Sequence, residues 1–169
     1  MSIDRVRTHL LADDGTIPNS RLPLLIYPGA FLLSDPDVPG AIEARLRRNG
    51  WQGGWRNGIY PHHHYHSTAH EVLAVYGGSA RVQFGGESGI IAEVRSGDAV
   101  VIPAGVGHKN LGASAGFRVV GAYPRGQTWD MCYGSPGERP RADENIARVP
   151  LPIADPVFGG DGPLSEHWR

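Results

Sequence analysis

The sequence has very little cysteine, no excess of charge of either sign and no long apolar run. Its single cysteine, Cys132, cannot form an intramolecular disulfide, which is typical of proteins in a reducing compartment. With a formal charge of −1 and scattered Lys and Arg residues, the chain has no basic stripe to attract a nucleic acid. No run approaches the roughly 20 apolar residues of a membrane span, and the charged start, MSIDRVRTHLLADDG, is not typical of a signal peptide. We therefore expect a cytoplasmic protein with neither nucleic-acid nor membrane partners.

What the sequence does contain is a series of short apolar runs separated by turn residues. A chain of 169 residues is long enough for one domain with its own core. The 24 glycines and 14 prolines separate the apolar runs and form no tract, so they indicate turns. Many short strands at this spacing are typical of an all-β sandwich or barrel. The predicted strands between positions 51 and 124 are WRNGIY, EVLAVY, SARVQF, GIIAEV, AVVIP and GFRVVGAY.

The segments on either side of these strands differ from them. RLPLLIYPGAF predicts a strand at the edge of a sheet, because prolines stand near both ends. DPDVPGAIEARLRRNG predicts one short helix outside the barrel, in which Ile42 and Leu46 share a face and Glu43 can pair with Arg47. After Pro124 the periodicity is lost and six prolines follow between positions 136 and 163, so we expect an extended segment with at most a short helix at 141–148.

These patterns divide one structural domain into three parts. Residues 1–50 are predicted to supply a strand and a helix that pack on the barrel. Residues 51–125 are predicted to form the barrel itself. Residues 126–169 are predicted to wrap around it, or to serve as a lid or a dimer arm.

Five of the eight histidines lie within nine residues, HHHYHSTAH at positions 62–70, and Glu71 follows directly. A tag would be terminal and uniform, whereas this run is central, interrupted and flanked by apolar stretches. Imidazole nitrogens and a carboxylate oxygen together are typical ligands of first-row transition metals. The cluster therefore predicts a specific metal site.

Strand alternation selects the ligands within the cluster. Side chains two residues apart point to the same side of a strand, so His64 and His66 are expected to converge. Glu71 begins EVLAVY, and a strand that runs back can bring its carboxylate to that pair. A further ligand must come from elsewhere in the chain, and His108, at the end of GDAVVIPAGVGH, is the candidate.

These same residues carry a resemblance to the cupin superfamily. The segment GIYPHHHYHSTAHEVLAVYGG has the glycine, histidine and glutamate spacing of the first cupin motif, and the segment that ends at His108 resembles the second. The second motif departs at its end, where Gly112 replaces the usual asparagine and Asn110 comes two residues early. The matching positions are Gly58, His64, His66, Glu71, Gly78, Gly97, Pro103, Gly105 and His108.

The resemblance implies a jelly-roll β-barrel in which His64, His66, Glu71 and His108 hold a divalent transition metal. Two further coordination positions would remain for water, substrate or dioxygen. This donor set does not select one metal, so Fe, Mn, Ni and Zn are all expected candidates. Cupins of this kind are commonly dimers, and we expect a homodimer.

Other residues near the motif receive weaker interpretations. Arg56, Tyr60 and His62 share the parity of His64 and are candidates for substrate binding, although Arg56 fits a rim position equally well. His70 is a candidate for supporting a ligand or replacing one. The other four side chains of interest are expected to be structural or solvated; they are His9, His63, Tyr65 and His167.

We expect a small-molecule ligand, and two classes of function are compatible with one. In one, the protein is a metal-dependent enzyme, a dioxygenase-like cupin or an isomerase, that acts on a small anionic or enolisable substrate. In the other, it is a binding or sensory module in which the metal helps to hold a ligand without turnover. The fold by itself does not separate them.

Overall fold

The computed structural model describes residues 6–169. Within this range the strands form two antiparallel sheets, with six strands in the order β1-β2-β7-β4-β9-β3 and three in the order β6-β5-β8. The elements are β1 (Arg7–His9), β2 (Leu24–Tyr27), α1 (Val38–Arg48), β3 (Trp51–Asn57), β4 (Glu71–Gly77), β5 (Ser79–Phe84), β6 (Ile90–Arg95), β7 (Ala99–Ile102), β8 (His108–Ala113), β9 (Arg118–Pro124), α2 (Arg141–Arg148) and α3 (Pro163–His167).

The six-stranded sheet is covered on both faces. Its strands β2, β4, β7 and β9 read LLIY, EVLAVYG, AVVI and RVVGAYP, and nearly all of their side chains are buried. Because neighbouring side chains of a strand point to opposite faces, a continuous apolar run requires a core on each side. The inner core lies between the two sheets and includes Leu73, Val100 and Phe84. The outer core includes Val72 and Val101 and lies beneath α1 and the C-terminal residues.

Helix α1 covers part of the outer core, as the sequence predicts. The Asp37 carboxylate accepts a hydrogen bond from Gly40 N at 3.2 Å at the start of the helix, and Asn49 is the C-cap. Ile42 and Leu46 are the side chains that α1 buries. Burial of aliphatic side chains of this size stabilises the fold by roughly 1.5–3 kcal/mol each.

The residues after β9 contain more helix than the sequence indicates. The short helix expected at 141–148 is present as α2, and α3 follows near the C-terminus. The fold prediction of a single, N-terminal helix is therefore incomplete for the described residues. Val157, Leu164 and Trp168 from this segment pack in the outer core. Its function as a lid or a dimer arm stays a prediction.

The structure corrects three details of the predicted sheets. Strand β2 is not at an edge, because Arg7–His9 pairs with it as an outer strand. Strand β8, HKNLGA, was not predicted, since its polar residues form no apolar run. The strands pair as two separate sheets and not as one closed barrel. This two-sheet arrangement is the jelly-roll form of an all-β fold.

None of the helices in residues 6–169 combines the length and the apolar character that crossing a membrane requires.

Candidate metal centre

The candidate ligands lie where the two sheets come together. His64 and His66 belong to the connection between β3 and β4, Glu71 is the first residue of β4, and His108 is the first residue of β8. His64 and His108 form an isolated antiparallel bridge, in which His108 N donates to His64 O at 2.9 Å. Residues opposite each other in such a bridge have side chains on the same face. Their ring centroids are accordingly 4.0 Å apart.

The structure brings the four side chains together. One ring nitrogen from each of His64, His66 and His108 lies within 4.8 Å of the other two. Glu71 Oε2 lies 3.3 Å from His108 Nε2 and 3.5 Å from His66 Nε2. All four residues are buried. The three histidines form one group, and Glu71 contacts two of them.

The hydrogen bonds of the histidines define which nitrogens face this group. His64 Nδ1 contacts His62 O at 3.2 Å, His108 Nδ1 contacts Val106 O at 3.3 Å, and His66 Nδ1 contacts the carbonyl oxygen of Asp130. A carbonyl oxygen only accepts hydrogen bonds, so each Nδ1 is assigned the ring hydrogen. Each neutral imidazole then directs the lone pair of Nε2 away from its backbone partner, which is the usual arrangement of a metal-binding histidine.

The buried carboxylate makes the site suitable for a cation. Glu71 Oε2 has no hydrogen-bond partner. In the neutral tautomers it faces the Nε2 lone pairs of His66 and His108, so electron-pair donors converge without a hydrogen between them. Such a group is costly to bury unless a cation or an added proton compensates it. The donor set of three imidazoles and one carboxylate fits a divalent transition metal.

Electrostatic coupling within the group agrees with this interpretation. Burial opposes protonation of His66, but the adjacent Glu71 carboxylate outweighs it and raises the pKa of His66. Burial also opposes ionisation of Glu71, yet His66 and His108 outweigh it and hold the pKa of Glu71 well below its usual range. A proton on His66 therefore competes with a metal, and metal binding should weaken in acid.

Acid should also destabilise the metal-free protein. Burial lowers the pKa of His64 to about 3, with His108 adding to the effect, and burial lowers the pKa of His70 to about 4. Between the ordinary histidine value of 6.5 and these values, the unfolded chain binds protons that the folded protein does not. The contribution of His64 and His70 to stability is therefore complete above pH 6.5 and falls as the pH drops towards 4. His66, with its raised pKa, is protonated in both states below pH 6.5 and does not oppose this trend there.

Denaturant unfolding of the metal-free protein between pH 7 and pH 4 tests this expectation. The variant His70→Asn should lose part of the dependence, on the order of 3 kcal/mol at pH 4, because its side-chain oxygen can still accept from Ala104 N without titrating. The exposed His167, changed to Asn, serves as the control. A wild-type free energy of unfolding that stays constant from pH 6.5 to pH 4 would contradict the expectation.

Asp130 supports the ligand loop and was not found from the sequence. Besides accepting from His66 through its carbonyl oxygen, it accepts hydrogen bonds through its carboxylate from Ser67 N at 2.6 Å and Thr68 N at 3.3 Å. Tyr65 N also donates to Cys132 O at 2.8 Å, so residues 130–132 run alongside the histidine cluster. Asp130 lies beyond the predicted strands in a stretch without periodicity, and no sequence signal marks it.

A cavity of about 210 Å³ opens onto the four candidate ligands. Its walls are largely aromatic and apolar. Two of the residues that line it, Tyr60 and Trp129, are about half exposed to solvent. Sequence reasoning missed most of the wall, although the alternation of β9 could have indicated Tyr123. Besides the four ligands, the lining residues are Trp55, Arg56, Asn57, Gly58, Ile59, Tyr60, Leu73, Tyr123, Trp129 and Met131.

The three candidates for substrate binding have different positions. Tyr60 lines the cavity. Arg56 also borders it, but its guanidinium forms a bidentate pair with Glu43 of α1 at 2.6 and 2.9 Å. Glu43 thus pairs with Arg56 and not with the predicted Arg47. His62 is exposed outside the lining, stacked on Tyr60 at 5.1 Å. The prediction that Arg56, Tyr60 and His62 lie on the same side as His64 assumed one continuous strand. It fails because β3 ends at Asn57, and side chains alternate strictly only within a strand.

His70 does not support any of the four ligands. Its Nδ1 accepts a hydrogen bond from Ala104 N at 2.9 Å, and its ring packs against Trp168 at 4.7 Å. It borders a separate cavity on the far side of the segment that carries Glu71. His63 and Tyr65 face away from the ligands, as expected, and contact Glu87 and Glu138. The interpretation of His70 as a supporting residue is therefore replaced by a packing role.

Comparison with known proteins agrees with the motif. The family model described as Cupin matches residues 56–122. The uncharacterized protein YjlB of Bacillus subtilis strain 168 is 47% identical over 163 residues, which covers 96% of each chain. The chain belongs to the cupin superfamily.

Solved structures similar to this cupin include seed globulins and a small bacterial protein. Pumpkin seed globulin is 24% identical, with a TM-score of 0.41, over 57% of this cupin and 28% of that chain. A DUF861 family protein from Thermotoga maritima is 22% identical, with a TM-score of 0.33, over 51% of this cupin and 90% of that chain. This cupin spans less than a third of the pumpkin globulin and 22% of the 11S globulin from Wrightia tinctoria.

Proposed function

We propose that this cupin is a metal-dependent, dioxygenase-like enzyme acting on a small enolisable or anionic substrate. The observation that carries the proposal is the convergence of three buried imidazoles and the unpartnered carboxylate oxygen of Glu71 at the base of a cavity. His64, His66, His108 and Glu71 would hold Fe, Mn, Ni or Zn. When bound, such an ion supplies positive charge for substrate oxygens and, if it is redox-active, a centre for dioxygen chemistry.

The cavity limits the size of the substrate. Its volume of about 210 Å³ is below the roughly 300–1,000 Å³ of sites for drug-sized ligands, which favours a small molecule. The aromatic side chains of Trp55, Tyr123 and Trp129 line the cavity and suit a planar substrate. Tyr123 and Trp129 are stacked with 24° between their ring planes, so two nearly parallel aromatic rings line the cavity.

Charge also narrows the substrate class. Arg56 borders the cavity, but its charge is balanced by Glu43. Among the described residues of the lining, Glu71 therefore carries the unbalanced charge, and a divalent cation would leave a net charge of +1. An enolate or another monoanion that offers two oxygens would neutralise this charge.

The titratable groups of the cavity favour a dioxygenase over an isomerase. An isomerase needs a general acid or base beside the substrate carbon. Apart from the four candidate ligands and the paired Arg56, the described lining offers only Tyr60 and Tyr123 as titratable side chains. Burial raises the pKa of Tyr123, as does the nearby Glu71, so this hydroxyl is a poor base at neutral pH. A dioxygenase depends less on a general acid or base, because the metal ion and dioxygen perform the chemical step.

Oxygen consumption by the reconstituted protein tests the proposal. Metal-free protein would be loaded separately with Fe, Mn, Ni or Zn under anaerobic conditions and then supplied with small 1,2-dicarbonyl, enol or catechol compounds and air. We expect stoichiometric loss of oxygen and substrate with a redox-active ion, little with Zn, and none in Glu71→Gln. His63→Ala, which alters the same cluster outside the ligand group, should keep wild-type turnover.

The other outcomes identify the alternative functions. Substrate conversion without oxygen uptake would replace the dioxygenase with the isomerase. A compound that raises the melting temperature but is recovered unchanged would indicate the binding or sensory cupin. Both results would reject the proposal.

A further inference from the structure

Three residues on neighbouring strands form a line that ends at Glu71. Trp55 of β3 lies opposite Gly121 of β9 in the antiparallel ladder, so Tyr123 is its diagonal neighbour on the same face. Trp55 Nε1 donates a hydrogen bond to the Tyr123 hydroxyl at 2.8 Å. In the ladder between β4 and β9, Val72 lies opposite Ala122, so the next residues of the two strands, Glu71 and Tyr123, face each other on one side of the sheet. Both side chains line the cavity.

The hydrogens that each group carries determine which group donates and which accepts. The indole nitrogen can only donate, so Trp55 occupies a lone pair of the Tyr123 oxygen and leaves the phenolic hydrogen free. Tyr123 is buried, and a phenol with an ordinary pKa of about 10 keeps its hydrogen at neutral pH. A carboxylate accepts hydrogen bonds and does not donate them. The hydrogen of Tyr123 is therefore directed to Glu71.

We infer that Tyr123 is a positioning residue for Glu71, and that Trp55 orients its hydroxyl. Donation to one carboxylate oxygen keeps the other, Oε2, turned towards His66 and His108, from which it is 3.5 and 3.3 Å away. The inference rests on the metal-binding role proposed for these ligands. Partners of metal ligands of this kind commonly change metal affinity by about 10–100-fold when they are removed.

Gly121 is the residue that allows Trp55 to reach Tyr123. A Cβ atom at position 121 would lie 2.2 Å from Cε2 and 2.7 Å from Nε1 of the Trp55 indole. These distances are too short for atoms in contact, so the indole would have to move. Gly121→Ala should therefore break the hydrogen bond from Trp55 to Tyr123 while leaving both polar side chains in the protein.

Binding of Co²⁺ to metal-free protein tests the inference. The dissociation constant would be measured by competition with a chelator, and the visible absorption bands would report on the ligands around the ion. Tyr123→Phe should weaken binding about 10–100-fold and shift the absorption bands. Trp55→Phe and Gly121→Ala should change both readouts in the same direction, to a smaller extent.

Matched controls remove a hydroxyl or a glycine elsewhere. Tyr76→Phe removes a hydroxyl from the strand that begins with Glu71, where the ring packs against the outer core. Gly112→Ala alters a β8 glycine that has open space around its Cβ position. Both controls should keep the wild-type affinity and spectrum.

The possible outcomes separate the role of Tyr123 from the existence of the metal site. If Tyr123→Phe is folded and binds Co²⁺ with the wild-type affinity and spectrum, the inference is wrong while the metal site stands. If Tyr123→Phe does not fold, Trp55→Phe decides in its place, and unchanged binding there overturns the inference. A wild-type protein that binds no Co²⁺ overturns both the inference and the proposed function.

Discussion

The double variant His64→Ala/His66→Ala is expected to bind no divalent transition metal at micromolar concentration. It removes two of the three nitrogens that lie within 4.8 Å of one another and leaves His108 with Glu71. Loss of a single supporting partner commonly weakens binding about 10–100-fold, and loss of two ligands should exceed that range. Metal content would be measured by elemental analysis after reconstitution with Fe, Mn, Ni or Zn and removal of free ion.

The fold should survive this change, which makes the result interpretable. The two side chains border a cavity and belong to neither the inner nor the outer apolar core, so their removal enlarges the cavity and leaves both cores intact. His63→Ala is the matched control, because it removes a neighbouring histidine that contacts Glu87 instead. A full equivalent of metal in the double variant would show that the ion binds elsewhere in the protein.

Asp155→Ala is expected to lower the free energy of unfolding by about 4 kcal/mol. The Asp155 side chain is fully buried and accepts four hydrogen bonds, from Tyr27 Oη at 2.8 Å and from the backbone nitrogens of Val157, Phe158 and Leu164 at 2.8, 2.9 and 3.0 Å. Removal of the carboxylate leaves these donors without a partner, and each buried unsatisfied donor costs roughly 1–3 kcal/mol.

The loss should be local to the outer core. Asp155 connects Tyr27 of β2 to the segment that places Leu164 and Trp168 over the six-stranded sheet. Hydrogen exchange should therefore accelerate first in residues 155–168. Asp161→Ala, which alters an exposed carboxylate in the same segment, should change the free energy by no more than about 0.5 kcal/mol. Denaturant midpoints for the two variants that agree within error would contradict the prediction.

Many of the strands can be predicted from the sequence. EVLAVY, SARVQF and AVVIP correspond closely to β4, β5 and β7, because each is a short apolar run bounded by turn residues. Strand β8 was missed for the opposite reason, since HKNLGA is polar and lies at the edge of the small sheet. A strand at an edge is held by backbone hydrogen bonds, and these leave no mark on the side-chain pattern.

The candidate ligands were also accessible to sequence reasoning. The alternation of His64 and His66 needs only local geometry, and Glu71 and His108 follow from the motif spacing. The same argument failed for Arg56, whose side chain turns to Glu43 of α1. No local rule predicts that pair, because the two residues meet only after α1 has packed against β3.

The sequence by itself determined the family, the strand composition of the fold and the identity of the four candidate ligands, since these depend on side-chain periodicity and on spacing along the chain. Only the tertiary structure decided which groups support the ligands. Asp130 is 64 residues along the chain from His66, and Tyr123 is 52 residues from Glu71 (123 − 71), yet Asp130 contacts His66 and Tyr123 lies opposite Glu71. Such contacts depend on how the sheets and the C-terminal segment pack, and chain positions far apart carry no periodic signal of that packing.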